Sequence, residues 1–312
     1  GDRTMIAYIF PGQGSQHAGM GSALAQESAI ARDVFDVVND ALGFSLTEVM
    51  FGDDAEALTP TEVQQPAIFA HSVAAFAALR KRHEPGPALV AGHSLGEYAA
   101  LLSAGCVDLQ TAAKLVRTRG ELMAQAGEKV GGAMAAAINM EREAVCSLVE
   151  DASAEGTLVI ANYNCPGQIV ISGTQEAIDA ARRLGKERGA RILPLKVSGA
   201  FHSPLMAPVV DILRPHIEAA GICDATIPVV SNVDATPRTD ADGIRAALIA
   251  QVTGSVLWED SVRRMVEDGV DTFVELGPGT VLSKMIPRIT DRATVHSVSD
   301  MAGVHQFLEA IG

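Results

Sequence analysis

Gly92-His93-Ser94-Leu95-Gly96 is bracketed by a short apolar run, Ala88 to Ala91, and a helix-like stretch that ends near Gly105. Glycine two residues before and two residues after a serine suits a sharp, strained strand-to-helix turn, where bulk at either place would collide with neighbouring backbone. Such a turn belongs at the end of a strand in a parallel sheet. The rest of the chain keeps the matching rhythm, short β-like runs alternating with helical periodicity. Met5 to Phe10 reads as a first buried strand, closed by Pro11-Gly12 and the glycine-rich Gln13 to Gly21. Helices are expected at Leu24 to Ala41 and Pro66 to Arg82, and from an N-cap at Asp108 to about Ala126.

Past Gly131-Gly132 the order of elements changes. Ala133 to Ile138, Glu141 to Glu150, Thr157 to Asn162, Gln168 to Ser172, Gln175 to Arg188 and Arg191 to Val197 spell β-α-β-β-α-β, the ferredoxin-like pattern. The expected fold class is therefore α/β: a hydrolase-like large domain with a parallel sheet, plus an inserted ferredoxin-like α+β small domain. The large domain takes residues 1–128 and 198–312 and the small one 129–197. It resumes with a helix from Pro204, a strand at Ile227 to Ser231, a helix around Ser261 to Asp268 and a late strand at Thr272 to Leu276. Gly277-Pro278-Gly279 turns that strand into a last substantial helix.

At 312 residues the chain is long enough for about two domains at roughly 150 residues each. Its 48% hydrophobic and 20% charged content is that of a globular protein and fits neither disorder nor a collagen-like repeat. A net charge of −14 argues against nucleic acid, which requires clustered cations. Cys106, Cys146, Cys165 and Cys223 form no C-x-x-C pair, and the histidines show no metal-binding spacing. Free thiols, no membrane-length apolar run and no signal-like opening lead to the expectation of a cytoplasmic enzyme without membrane contact. Gly1 to Thr4 reads as foreign to a natural start at Met5.

In the pentapeptide Ser94 is the candidate nucleophile, and the following helix N-terminus brings the Leu95 N–H to bear on an oxyanion. A serine hydroxyl needs a base. His202 is the best placed, in a loop just before the Ser203-Pro204 helix start, with His296 and His305 as rivals. Arg119 falls within the apolar stripe Ala112, Leu115, Val116, Leu122, Met123 and Ala126, while Lys114 and Arg117 lie on other faces. A core-facing guanidinium needs an anion, either a protein carboxylate or a substrate carboxylate held bidentately. Phe10 to Gln16 lies at the carboxyl end of the first strand, where ligands gather. Its glycines fit no complete phosphate-binding fingerprint, and the Gln13 side-chain amide could close an oxyanion hole or orient a substrate.

Taken together, Phe10-Pro11-Gly12-Gln13-Gly14-Ser15-Gln16, Gly92-His93-Ser94-Leu95-Gly96-Glu97-Tyr98, Arg117-Thr118-Arg119-Gly120, Asn162-Tyr163-Asn164, Ala200-Phe201-His202-Ser203 and Glu275-Leu276-Gly277-Pro278-Gly279 resemble the malonyl-CoA:acyl carrier protein transacylase family and related acyltransferase domains of polyketide and fatty acid synthases. The likeness runs from Met5 to about Met301. It implies Ser94 as the acyl-accepting nucleophile, His202 as its base and the backbone carbonyl of Gln251 as the group orienting that base. It further implies Gln13 and the Leu95 N–H as the oxyanion hole and Arg119 as the carboxylate-binding arginine. His93, Phe201 and Asn162 are the remaining substrate contacts it implies. Ala200-Phe201 is similar to the malonyl-selective pattern, in which a ring leaves little room for an α-methyl. Gly254-Ser255 departs from the family's usual Asn-Pro-Val-x-Trp.

The resemblance implies ping-pong transfer from malonyl-CoA through a malonyl-serine ester to the phosphopantetheine thiol of holo-acyl carrier protein, in type II fatty acid synthesis, with no bound cofactor. The alternatives are a freestanding acyltransferase of a polyketide synthase, distinguished by its carrier, and a serine hydrolase or thioesterase. Carrier proteins of this kind are acidic, so a chain of charge −14 needs a local basic surface. Arg182, Arg183, Lys186, Arg188, Arg191 and Lys196 supply one, against Glu187 alone.

Overall fold

The computed structural model describes residues 4–312; Gly1, Asp2 and Arg3, on which the expectation of foreign leading residues largely falls, lie outside it. Among the described residues, ten strands form two sheets. They are β1 (Ile6–Phe10), β2 (Leu89–Gly92), β3 (Ala133–Ile138), β4 (Leu158–Cys165), β5 (Gln168–Gly173), β6 (Arg191–Pro194), β7 (Val229–Val230), β8 (Pro237–Arg238), β9 (Thr272–Leu276) and β10 (Thr294–Val298). The larger sheet runs β10-β9-β1-β2-β7-β8. Its first five strands are mutually parallel, and β8 returns antiparallel on β7. Both β1 and β9 are buried along their whole length; β1 accordingly reads as an unbroken apolar run in the sequence, while β9 buries Thr272 and Glu275 among its apolar residues. Chain order moves from β1 to β2 on one side and later to β9 on the other, so a topological switch lies beside the carboxyl end of β1. The glycine-rich loop and the serine pentapeptide leave the sheet there.

The second sheet, β4-β5-β3-β6, is antiparallel throughout and has the ferredoxin-like order. Helices Arg142–Ala152 and Gln175–Glu187 cover one face, and the apolar side chains between Ala135 and Ile192 make a core of their own. This sheet reaches the rest of the molecule through β4. Val256 donates its N–H to Ala161 O at 2.7 Å and accepts from Tyr163 N at 2.9 Å. Arg142 holds Asp260 through both terminal guanidinium nitrogens, Nη1 and Nη2, and lies over the Tyr163 ring.

Several elements differ from their sequence expectation for local reasons. The first long helix is broken into Ser22–Glu27 and Ala29–Leu42, because Ser28 is extended and its hydroxyl accepts the Ala31 N–H as an N-cap. The helix expected to start at Pro66 begins at Thr61. Proline removes the N–H that would bond the Glu62 carbonyl, and Arg117 supplies the missing donor at 2.5 Å. The strand expected to reach Val197 ends at Pro194, with one further main-chain bond from Leu195 N to Met134 O at 2.9 Å before the chain leaves the sheet. Val281–Ile289 is not the last substantial helix, since β10 and the helix Met301–Ile311 follow, the latter capped by Asp300 on Gly303 N. The helix Ala241–Gln251 and the two-residue strand β8 carry no strong periodic signal and went unpredicted.

Candidate active site

The serine turn is as tight as its glycines demand. A Cβ on Gly92 would stand 1.9 Å from the Gly96 carbonyl carbon, and one on Gly96 would stand 2.1 Å from Phe10 O. Ser94 itself has φ of 52°, the left-handed region that an L side chain rarely occupies. Side chains hold its peptide groups in that conformation. The Ser94 N–H donates to Asn232 Oδ1 at 2.8 Å, and the Ser94 carbonyl accepts from Gln251 Nε2 at 3.0 Å. Asn232 is fixed in turn by donating Nδ2 to Gly92 O at 2.7 Å.

His202 is the second residue of the site in a left-handed conformation, with φ of 54°. Its Nδ1 lies 2.9 Å from Gln251 O and 3.1 Å from Gly254 O. Carbonyl oxygens only accept, so Nδ1 carries the proton and Nε2 presents a lone pair. That Nε2 is 2.7 Å from Ser94 Oγ and accepts its hydroxyl proton. The orienting groups are thus two main-chain carbonyls, the second coming from the Gly254-Ser255 departure noted in the sequence. Burial, and after it the Arg119 charge, push the imidazole down to about 3, so it is neutral over the ordinary working range. The rival histidines are elsewhere: His296 packs on Phe307 in β10 and His305 is exposed on the last helix.

Arg119 is completely buried, as its place in the apolar stripe requires. Its hydrogen bonds go to neutral acceptors: Gln65 Oε1 at 2.8 Å, Gln251 Oε1 at 2.9 Å and Ser94 Oγ at 3.2 Å. Tyr98 lies under the guanidinium, with the ring centroid 5.6 Å away. Among the described residues no carboxylate lies within 4.0 Å of it, and Arg119 Nε has no acceptor. Of the two anions open to it from sequence, the protein carboxylate is absent from this set.

The Gln13 side chain is oriented by a neighbour. One N–H of its Nε2 donates to Gln64 Oε1 at 2.9 Å, and the amide keeps a second N–H. Among the described residues neither the main-chain N–H of Gln13 nor that of Leu95 has an acceptor. Leu95 stands at the N-terminus of the helix Gly96–Ser103, where the helix dipole favours negative charge.

Ser94 and His202 open onto a cavity of about 960 Å³ between the two sheets. Gln13, Gln64 and His93 line one side, and Met134, Asn162 and Val170 of the antiparallel sheet line the other. Phe201, 3% exposed, forms part of the wall. His93 is fixed by Asn164 Oδ1 at 2.7 Å from its Nε2, and the Trp258 ring lies 5.7 Å away. Asn232, Gln65, Gln64 and the side chain of Gln251 were not singled out from the sequence. Asn232 had a usable signal, since it follows the apolar Val229-Val230 at the carboxyl end of a strand. Among the described residues no group of three metal-ligating side chains occurs, and no helix is long and apolar enough to cross a membrane.

The model of the acyl transferase domain matches residues 7–306. The malonyl CoA-acyl carrier protein transacylase of Bacillus subtilis is 44% identical over 95% of this chain and 93% of its own. The structure of the malonyl CoA-acyl carrier protein transacylase of Coxiella burnetii superposes with a TM-score of 0.95 at 35% identity, covering 99% of this chain and 98% of that one. A type II PKS acyl-carrier protein in complex with its malonyl-transacylase gives a TM-score of 0.95 at 37% identity, covering 98% of this chain and 100% of that one. The fold, the strained serine turn and these likenesses agree, and the chain belongs to the acyltransferase family that includes the malonyl CoA-acyl carrier protein transacylases.

Proposed function

We propose that this acyltransferase moves malonyl groups from malonyl-CoA to the phosphopantetheine thiol of holo-acyl carrier protein, in type II fatty acid synthesis. The observation that carries the reading is Arg119, a buried cation that no carboxylate among the described residues touches, hydrogen-bonded to the nucleophile. An acyl group that ends in a carboxylate supplies an anion in direct contact, and a simple acyl group does not.

The steps of this reading use the groups already described. His202 Nε2 takes the Ser94 hydroxyl proton as Oγ attacks the thioester carbonyl. The main-chain N–H groups of Leu95 and Gln13 receive the oxyanion, and collapse expels the CoA thiolate, which regains the proton from His202. The malonyl carboxylate displaces Ser94 Oγ from Arg119, freeing the hydroxyl to react. It also cancels a charge that depresses His202, so the base strengthens when the correct substrate is in place. The carrier thiol then loses its proton to His202, attacks the ester and leaves as the malonyl thioester, and the proton returns to Ser94. Phe201 and the apolar wall restrict bulk at the α-carbon, while His93 and Asn162 line the approach.

In this reading residues 129–197 are one domain, residues 1–128 with 198–312 are the other, and the cleft between them keeps water from the ester. Carrier docking is narrower than the sequence implied. Arg182, Arg183 and Arg188 are engaged by Asp179, Glu155 and Asp151. Lys186, Arg191 and Lys196 are exposed and without an ion pair among the described residues, and Lys196 borders the cavity. These three are the proposed docking cations.

The test is transfer from malonyl-CoA and acetyl-CoA to a holo-carrier, with the apo-carrier as control. Malonyl transfer to the holo form alone is expected, with acetyl transfer far slower. Free malonate released in place of carrier product would indicate a hydrolase.

A further inference from the structure

Glu97 follows the nucleophile by one helical turn and is 2% exposed. Its Oε2 accepts from Gln251 Nε2 at 2.7 Å and from Asn232 N at 3.4 Å. The same Gln251 amide turns its Oε1 to Arg119 Nη2 at 2.9 Å. Arg119 and Glu97 are therefore opposite charges one amide apart, with oxygen toward the cation and NH2 toward the anion. A flipped amide would set like against like at both ends, so the polarity of the relay is fixed.

No proton or bond transferred in the acyl-transfer steps involves Glu97. Burial of a carboxylate is costly, and here it pushes the group up to about 7. The place of that charge has an electrostatic consequence for the site. Before substrate binds, Glu97 balances Arg119 across Gln251. Once an acyl carboxylate arrives, two anions share one buried cation.

The geometry points to Glu97 as the internal counter-ion of Arg119: a specificity-determining residue that, relayed by Gln251, loosens the grip on the acyl carboxylate so that the acyl group can be passed on. This role rests on the malonyl-transfer reading of Arg119. Glu97 touches neither the thioester nor the acyl group in that scheme, so it acts as a positioning residue.

Ser94→Ala, which binds without reacting, is compared with Ser94→Ala/Glu97→Gln by calorimetric titration with malonyl-CoA and acetyl-CoA at about pH 8.5, where the Glu97 carboxyl is ionised. Removing the competing anion is expected to tighten malonyl-CoA about tenfold and leave acetyl-CoA within about twofold. A merely structural role would weaken both ligands or move neither. Equal or weaker malonyl-CoA binding overturns the proposal. Glu97→Met, a second neutral variant, is required to show the same tightening, with a thermal melt establishing that each protein is folded. A Ser94→Ala protein with no preference for malonyl-CoA over acetyl-CoA contradicts the malonyl reading itself. A preference that is present but unmoved by Glu97→Gln contradicts only the counter-ion role.

Discussion

A guanidinium buried against three neutral acceptors is costly unless something completes it, which makes Arg119 the residue that most narrows the chemistry. Arg119→Ala removes charge-assisted hydrogen bonds to the acyl carboxylate, and malonyl loading is expected to fall about a hundredfold or more, with a relative gain for acetyl-CoA. Measuring kcat/KM for the two thioesters checks this, and unchanged selectivity would make the cation structural. His202 gives a second prediction, with a definite sign. Because its pKa is lowered, the base form persists as pH falls, so kcat/KM for malonyl loading is expected to show no loss between about pH 8 and 6. A decline centred near the ordinary histidine value of about 6.5 would contradict the burial argument. The sequence exposes Arg119 because its cation interrupts an apolar stripe of period 3.6. It does not expose Glu97, because nothing local distinguishes a buried polar side chain from a solvated one when its partners lie more than a hundred residues away.

At the scale of elements, the turns carry more information than the helices. The pentapeptide is legible because close backbone approach leaves glycine as the residue that fits. Gly96→Ala sets a Cβ against main-chain oxygens of Phe10 and Pro11, which are held by the sheet. A loss of about 3 kcal/mol or more is expected from urea melts, and a loss below about 1 kcal/mol would show that the turn can relax. Glu275, buried at the end of β9, accepts from Leu282 N, Ser283 N and Ser283 Oγ and so caps the next helix. Its folded pKa is raised to about 7, so the stability it contributes is lost as pH rises through that value. Glu275→Gln keeps an acceptor without the titration. Its melting temperature relative to wild type is expected to improve from about pH 5.5 to 8, and a constant difference would contradict the assignment. The elements that escaped the sequence share a physical cause. Strand β10 is a half-buried edge strand whose Thr294, His296 and Ser297 blur its apolar pattern, and β8 is too short for any period to register.

Across the whole molecule, the β-α-β-β-α-β order is legible because each strand of the small sheet contains an apolar stretch set between turns or amphipathic helices, whereas strand order in the large sheet depends on long-range pairing. The switch beside β1 brings the Gln13 loop and the Ser94 turn together, and the small sheet closes the cavity over them. A net charge of −14 must still admit an acidic carrier. Charge reversal at Lys186 and Arg191 is expected to lower kcat/KM for the carrier about tenfold and flatten its salt dependence, leaving malonyl-CoA loading unchanged. If neither carrier quantity moves, docking lies elsewhere. The central claim is that Ser94 carries the malonyl group between CoA and carrier. Intact-protein mass spectrometry after malonyl-CoA is added reads it directly. The account predicts one malonyl adduct, absent in Ser94→Ala, discharged by holo-carrier and retained with apo-carrier; an adduct that survives Ser94→Ala, or none on the wild-type chain, would contradict it.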